Sequence, residues 1–118
     1  MTLVLLDESV PAALRRLLPG HDVRSTVYMG WSGLRNGELI ARAEAEGFEI
    51  LITADQSIRY QQNMTDRRLI LIVLDTNFWP AIRAAYHPIL EAIEAARPGA
   101  YASVSVPKLP RRRRPTSA

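Results

Sequence analysis

The chain has 118 residues, 47% hydrophobic and 23% charged, which fits one globular domain and excludes a chain too polar to bury a core. No apolar run approaches the ~20 residues of a membrane-spanning helix, no signal peptide is read at the N-terminus, and the lack of cysteine excludes disulfides and thiolate metal sites, in keeping with a cytoplasmic protein. The net charge of +3 belongs to the C-terminal tail: four of the fifteen basic residues are Arg111 to Arg114, and the other eleven face twelve acidic ones, leaving the body at −1.

Thr2 to Leu6 is an apolar run that predicts a buried strand. Ser9 is placed to cap a following helix, with Pro11 in its first turn and Ala13, Leu14, Leu17 and Leu18 as its apolar stripe. Pro19-Gly20 ends that helix, and His21 to Thr26 is a second short strand. Tyr28 to Asn36 reads as loop; its glycines form no phosphate-cradling fingerprint. Gly37 to Glu46 is a helix with Leu39, Ile40 and Ala43 on one side, stopped by Gly47. Phe48 to Thr53 is a third strand, and Arg68 to Leu74 a fourth, apolar enough to be buried on both faces. Pro80 to Arg97 is a last helix, which Pro88 kinks or splits. Tyr101 to Val106 is an edge strand. The expected architecture is three-layer α/β/α with a central, mostly parallel sheet of four to five strands and right-handed crossovers. Residues 1–106 form the domain, and 107–118 a mobile basic tail rich in proline and arginine.

In an open parallel sheet, ligands bind outside the carboxyl ends of the strands. Asp7 and Glu8 follow the first strand, and Asp55 follows the third, just past Thr53. The helix that feeds the third strand starts at the same edge, with Glu38 in its first turn. Carboxylates gathered in this way repel one another unless a cation intervenes, and oxygen donors suit Mg²⁺ or Mn²⁺. Each acid also has a plainer reading. Asp7-Glu8 is a polar turn, Glu38 answers the helix dipole beside an Asn36 cap, and Asp55 caps a short helix. Asp75 ends the fourth strand and reads as a turn residue, His21 and His87 lack ligand partners, and Trp31, Trp79 and Tyr86 read as core or interface anchors.

Leu5-Leu6-Asp7-Glu8-Ser9-Val10-Pro11 resembles the opening of a short PIN-like family, in which Leu-Leu-Asp-Glu-Asn-Leu-Pro is typical. Gly20-His21-Asp22-Val23 is similar to that family's second strand, and Asn36-Gly37-Glu38-Leu39-Ile40-Ala41 to its Asp-x-Glu-Leu-Leu helix start. Ile52-Thr53-Ala54-Asp55 is similar to the Thr-x-Asp motif of PIN domains, and Tyr60-Gln61-Gln62-Asn63 resembles a feature of one branch. The resemblance spans Leu3 to Val106 and implies a PIN fold with phosphodiester cleavage, usually of RNA, as in the toxin of a bacterial toxin–antitoxin pair. It implies Asp7, Glu38 and Asp55 as metal-binding and catalytic acids for Mg²⁺ or Mn²⁺; in the mechanism expected from these, Glu8 or Asn36 orients water and Thr53 supports the geometry around Asp55. It further implies a small helix-turn-helix antitoxin-like partner, and a homodimer is also compatible with it. Two positions depart from the pattern: Ser9 replaces Asn, and Asn36 replaces Asp, which removes one negative charge.

Two other readings stand beside the ribonuclease. One is a PIN-like scaffold that has lost catalysis and binds protein or RNA, for which Asn36 is the best support. The other is a phosphorelay receiver, whose acidic pair, acceptor Asp and Thr are mimicked by Asp7-Glu8, Asp55 and Thr76. The receiver's turn after the acceptor is missing, with Gln56-Ser57-Ile58-Arg59 in its place.

Overall fold

The computed structural model describes residues 2–34, 36–56, 58, 67–99 and 101–107. The Tyr60–Asn63 motif and the tail from Lys108 lie outside the described residues.

Alternating apolar runs become strands because each can be buried on both faces. β1 (Leu3–Leu6), β3 (Ile50–Thr53) and β4 (Ile70–Leu74) are almost wholly buried. They pair in parallel with β2 (Asp22–Ser25) and β5 (Tyr101–Val104), giving one five-stranded sheet in the order β2-β1-β3-β4-β5. The expected mostly parallel sheet is thus entirely parallel, with β2 and β5 at its edges.

The pleat sends successive side chains to opposite faces, and two cores result. Val4, Leu6, Ile50, Ile52, Ile70 and Ile72 face one core, which is closed by a 3-10 helix (Ala12–Leu17) and two later helices. Leu5, Leu51, Leu71 and Val73 face the other, closed by the helix Asn36–Ala45. The result is a three-layer α/β/α sandwich. No helix among the described residues is long and apolar enough to cross a membrane.

Two local expectations are corrected. The segment after β1 is a 3-10 helix, entered through Pro11 without a side-chain cap. Ser9 does not cap it, because its hydroxyl is engaged elsewhere. The residues after β2 form a single helical turn, α1 (Thr26–Met29), in which the Ser25 hydroxyl accepts the Tyr28 N–H at 3.1 Å and Gly30 closes the end at φ 74°. The helix Asn36–Ala45, α2, follows the expected stripe, with Leu39, Ile40 and Ala43 buried. It ends in a Schellman motif: Phe48 N–H donates to Ala43 O at 2.9 Å and Gly47 N–H to Glu44 O at 3.1 Å, with Gly47 at φ 86°. Trp31 packs edge-on against Phe48 at 5.7 Å, which confirms it as a core residue.

The last helical stretch is split, as Pro88 requires, into α3 (Trp79–Ala84) and α4 (His87–Ala95), with Pro88 in the first turn of α4. Both helices share the core of the 3-10 helix. That placement overturns one topological expectation. The β1-to-β2 connection moves one way along the sheet on this face, and the β4-to-β5 connection moves the other way on the same face. The two crossovers therefore have opposite hands, against the strong rule of uniform right-handedness.

Glu44 ties α2 to the start of β4. It pairs with the Arg67 guanidinium at 2.7 Å and accepts the Arg68 N–H at 3.1 Å. Burial pushes its pKa up, but the Arg67 charge and the backbone N–H groups of Arg68 and Leu69 outweigh burial, and the net shift is downward. A carboxyl with a lowered folded-state pKa stabilises fully above its unfolded value and loses that stabilisation as pH falls through the folded value. The stability difference between wild type and Glu44→Gln is therefore expected to be constant near neutrality and to shrink as pH falls below about 4.5. Urea unfolding across that range checks it.

Candidate active site

The strand order reverses beside β1: β2 lies on one side of it and β3 on the other. Such a switch point is where open α/β sheets leave a crevice outside the carboxyl ends of their strands. Asp7 follows β1 there. Its N–H donates to Ile52 O at 3.0 Å, carrying the β1–β3 pairing one residue past the strand.

The Thr53 side chain, fully buried at the end of β3, joins the two strand ends. Its hydroxyl donates to Asp7 Oδ2 at 2.7 Å and accepts the Asp55 N–H at 3.0 Å. Ser9 makes a second link of the same kind, donating to Asp7 Oδ2 at 2.9 Å and accepting the Ala54 N–H at 2.9 Å. A hydroxyl has one proton. With both protons directed at Asp7, the 3.2 Å between the Ser9 and Thr53 oxygens is a packing contact. Asp7 Oδ1 accepts the Glu8 N–H at 2.7 Å. A carboxylate offers about four acceptor positions, so by this count Oδ1 retains one.

Glu8 is exposed and accepts the Gly33 N–H at 2.6 Å. Gly33 sits at φ 90°, a conformation that glycine adopts without strain. This bond draws the segment leading into α2 toward the carboxyl end of β1. Glu38 lies in the first turn of α2 and is exposed. The structure thus unites Asp7, Thr53 and Asp55, ties Glu8 to the same edge, and leaves Glu38 outside their hydrogen-bonded unit. Asn36 is the first residue of α2, and its side chain lies outside those described. Among the described residues, no group of three or more His, Asp and Glu side chains is gathered closely enough to hold a metal ion.

Asp75 takes the turn role expected of it. It accepts the Val106 N–H at 2.9 Å and the Ser105 hydroxyl at 3.1 Å, pinning the chain beyond β5 to the end of β4. Thr76 is likewise used locally, accepting the Phe78 N–H at 3.0 Å. Tyr86 and His87 stack on each other at 4.3 Å. Ser9 is the site residue that sequence reasoning assigned elsewhere. The Val10 N–H donates to Asp7 O at 3.0 Å, and the turn closed in this way brings the Ser9 hydroxyl back beside the Asp7 carboxylate, a placement with no signal in local composition.

The donor set is compatible with Mg²⁺ or Mn²⁺. Mg²⁺ is usually held by one or two carboxylates together with water and substrate phosphate, and Asp7 and Asp55 supply two carboxylates on linked backbone. Comparison with known proteins found no matching family model, curated protein or solved structure.

Replacing Thr53 by Val keeps the shape but removes a buried donor to Asp7 and the acceptor for the Asp55 N–H. The expected cost is about 1 to 3 kcal/mol, with Thr53→Ser costing less, measured by urea unfolding.

Proposed function

We propose that the chain is a Mg²⁺- or Mn²⁺-dependent endoribonuclease of PIN-like type that hydrolyses RNA phosphodiester bonds. The observation that carries this reading is the Asp7–Thr53–Asp55 unit at the switch point of the sheet. The ion, when bound, supplies a sharpened water nucleophile and offsets the charge that builds on the phosphoryl group. The chain's own residues do the positioning. Asp7 and Asp55 would hold the ion, and the family resemblance adds Glu38, in the first turn of α2, as the third acid. Thr53 and Ser9 keep Asp7 in one orientation by donating to Oδ2, which leaves Oδ1 for the site. Glu8, anchored by the Gly33 N–H, is a polar group at the same edge able to orient water, a role the family resemblance extends to Asn36. A role as the toxin of a toxin–antitoxin pair, held in check by a small helix-turn-helix protein in the cytoplasm, follows from the family resemblance and belongs to the same proposal.

One observation favours a second reading, the binding module without catalysis. Asp7 already accepts three hydrogen bonds, as a carboxylate that staples a turn would. The Asn36 substitution points the same way, because it removes a charge from the helix start.

The two readings part on one experiment. A mixed, labelled RNA pool is incubated with wild type and with Asp7→Asn in Mg²⁺, in Mn²⁺ and in EDTA. The expected outcome is metal-dependent cutting by wild type and its loss in Asp7→Asn, with circular dichroism unchanged. Full activity in Asp7→Asn sinks the assignment of the site. A folded wild type that neither cuts RNA nor binds Mn²⁺ by calorimetry is the binding module, and Asn36→Asp then tests whether one charge restores the ion.

A further inference from the structure

Two exposed aromatic side chains stand past strand ends at the sheet edge that bears the acids. Tyr28 is 72% exposed on α1, just past the carboxyl end of β2, and Phe78 is 57% exposed just past the carboxyl end of β4. The acids follow β1 and β3. The order along this edge is therefore Tyr28, Asp7, Asp55, Phe78. The ends of β2 and β4 are three strand spacings apart, about 14 Å.

A groove of about 480 Å³ leads to this edge. It follows the outer flank of β2 beside the 3-10 helix and reaches Tyr28, with Arg15, Arg16 and Arg24 along it. Arg24 is paired with Asp22 at 2.9 Å. Arg15 and Arg16 are exposed and have no ion-pair partner among the described residues. A positively charged groove running to one aromatic ring, with a second ring beyond the acids, is an arrangement suited to single-stranded nucleic acid, with cations on the phosphates and rings against the bases. An acidic protein segment would answer the arginines, but it would leave two separated aromatic rings, one on each side of the acids, without a role.

We propose that a single nucleic-acid strand lies across the carboxyl edge, its backbone held by Arg15 and Arg16 and its bases stacked on Tyr28 and Phe78 to either side of Asp7 and Asp55. The inference rests on the ribonuclease reading for its choice of RNA, and it adds the path and the strandedness of the substrate. A duplex keeps its bases stacked internally, so neither ring reaches a base face.

The test is fluorescence anisotropy of the full chain with a short labelled single-stranded RNA and with its duplex, in EDTA, so that binding is read without cleavage. Tyr28→Ala and Phe78→Ala are each expected to weaken single-strand binding roughly 5- to 150-fold, while Phe78→Tyr retains it. The Arg15→Ala, Arg16→Ala double variant is expected to flatten the slope of log affinity against log salt by about 1.4. The duplex is expected to bind more weakly. All these residues are exposed, and unchanged melting temperatures exclude misfolding. Wild-type affinity in both aromatic variants, equal binding of the duplex, or no binding of RNA each overturns the proposal. Capture of a polyglutamate peptide in place of RNA overturns it in favour of an acidic partner. Binding that depends on the rings, with no cleavage when metal is added, removes the nuclease reading alone. Cleavage with an unchanged KM in Tyr28→Ala and Phe78→Ala removes this proposal alone.

Discussion

The Thr53 hydroxyl sits where the ends of β1 and β3 would otherwise diverge. An acid follows each of β1 and β3, and like charges at the end of a sheet favour separation. One buried hydroxyl resolves this by donating to the Asp7 carboxylate and accepting the backbone N–H of Asp55. Because Thr53 is fully buried, water does not compete for either bond, and the local dielectric strengthens both. Ser9 repeats the device one step away. The site's geometry is thus set by neutral hydroxyls acting on charged and backbone groups, with no ion pair required.

The sandwich was legible where burial dictated it. The runs around Val4, Leu51 and Ile72 are apolar on consecutive positions, which only a sheet covered on both faces accommodates. Gly47 and Pro88 punctuated helices where their backbone chemistry demands. Three features escaped that reasoning. The 3-10 helix has an α-helical apolar spacing, but its entry through Pro11 and the capture of Ser9 by Asp7 leave it no side-chain cap. The turn Thr26–Met29 depends on one bond from Tyr28 N–H to Ser25, which composition does not reveal. The hand of the last crossover follows from the face on which α3 and α4 pack, a tertiary choice with no local signature.

The candidate site divides along the same line. Asp7, Thr53 and Asp55 were legible because strand ends fix where residues fall, whereas Glu38 depended on how far a helix N-terminus stands from the sheet. Sequence places that terminus at the correct edge, and the Glu8–Gly33 bond holds the preceding segment there. Neither specifies where an exposed glutamate side chain on the first turn comes to rest. The two faces of the sheet also carry different demands. The α2 face closes with a glycine-capped helix and the Trp31–Phe48 contact, and the other face must fit three short helical pieces.

Asp75 gives the C-terminus a direction. By holding Val106 and Ser105 against the end of β4, it fixes the exit of the chain at the carboxyl side of a sheet whose strands all point the same way. Four arginines begin only four residues beyond Pro107, a stretch of chain that spans at most about 14 Å. β5 stands two strand spacings, about 10 Å, from β3. The chain therefore reaches Pro107 at the rim that bears the acids rather than at the opposite one. Whatever follows Pro107 in the chain starts from that rim, and a tether of a few residues gives the group it carries an effective concentration there on the order of millimolar.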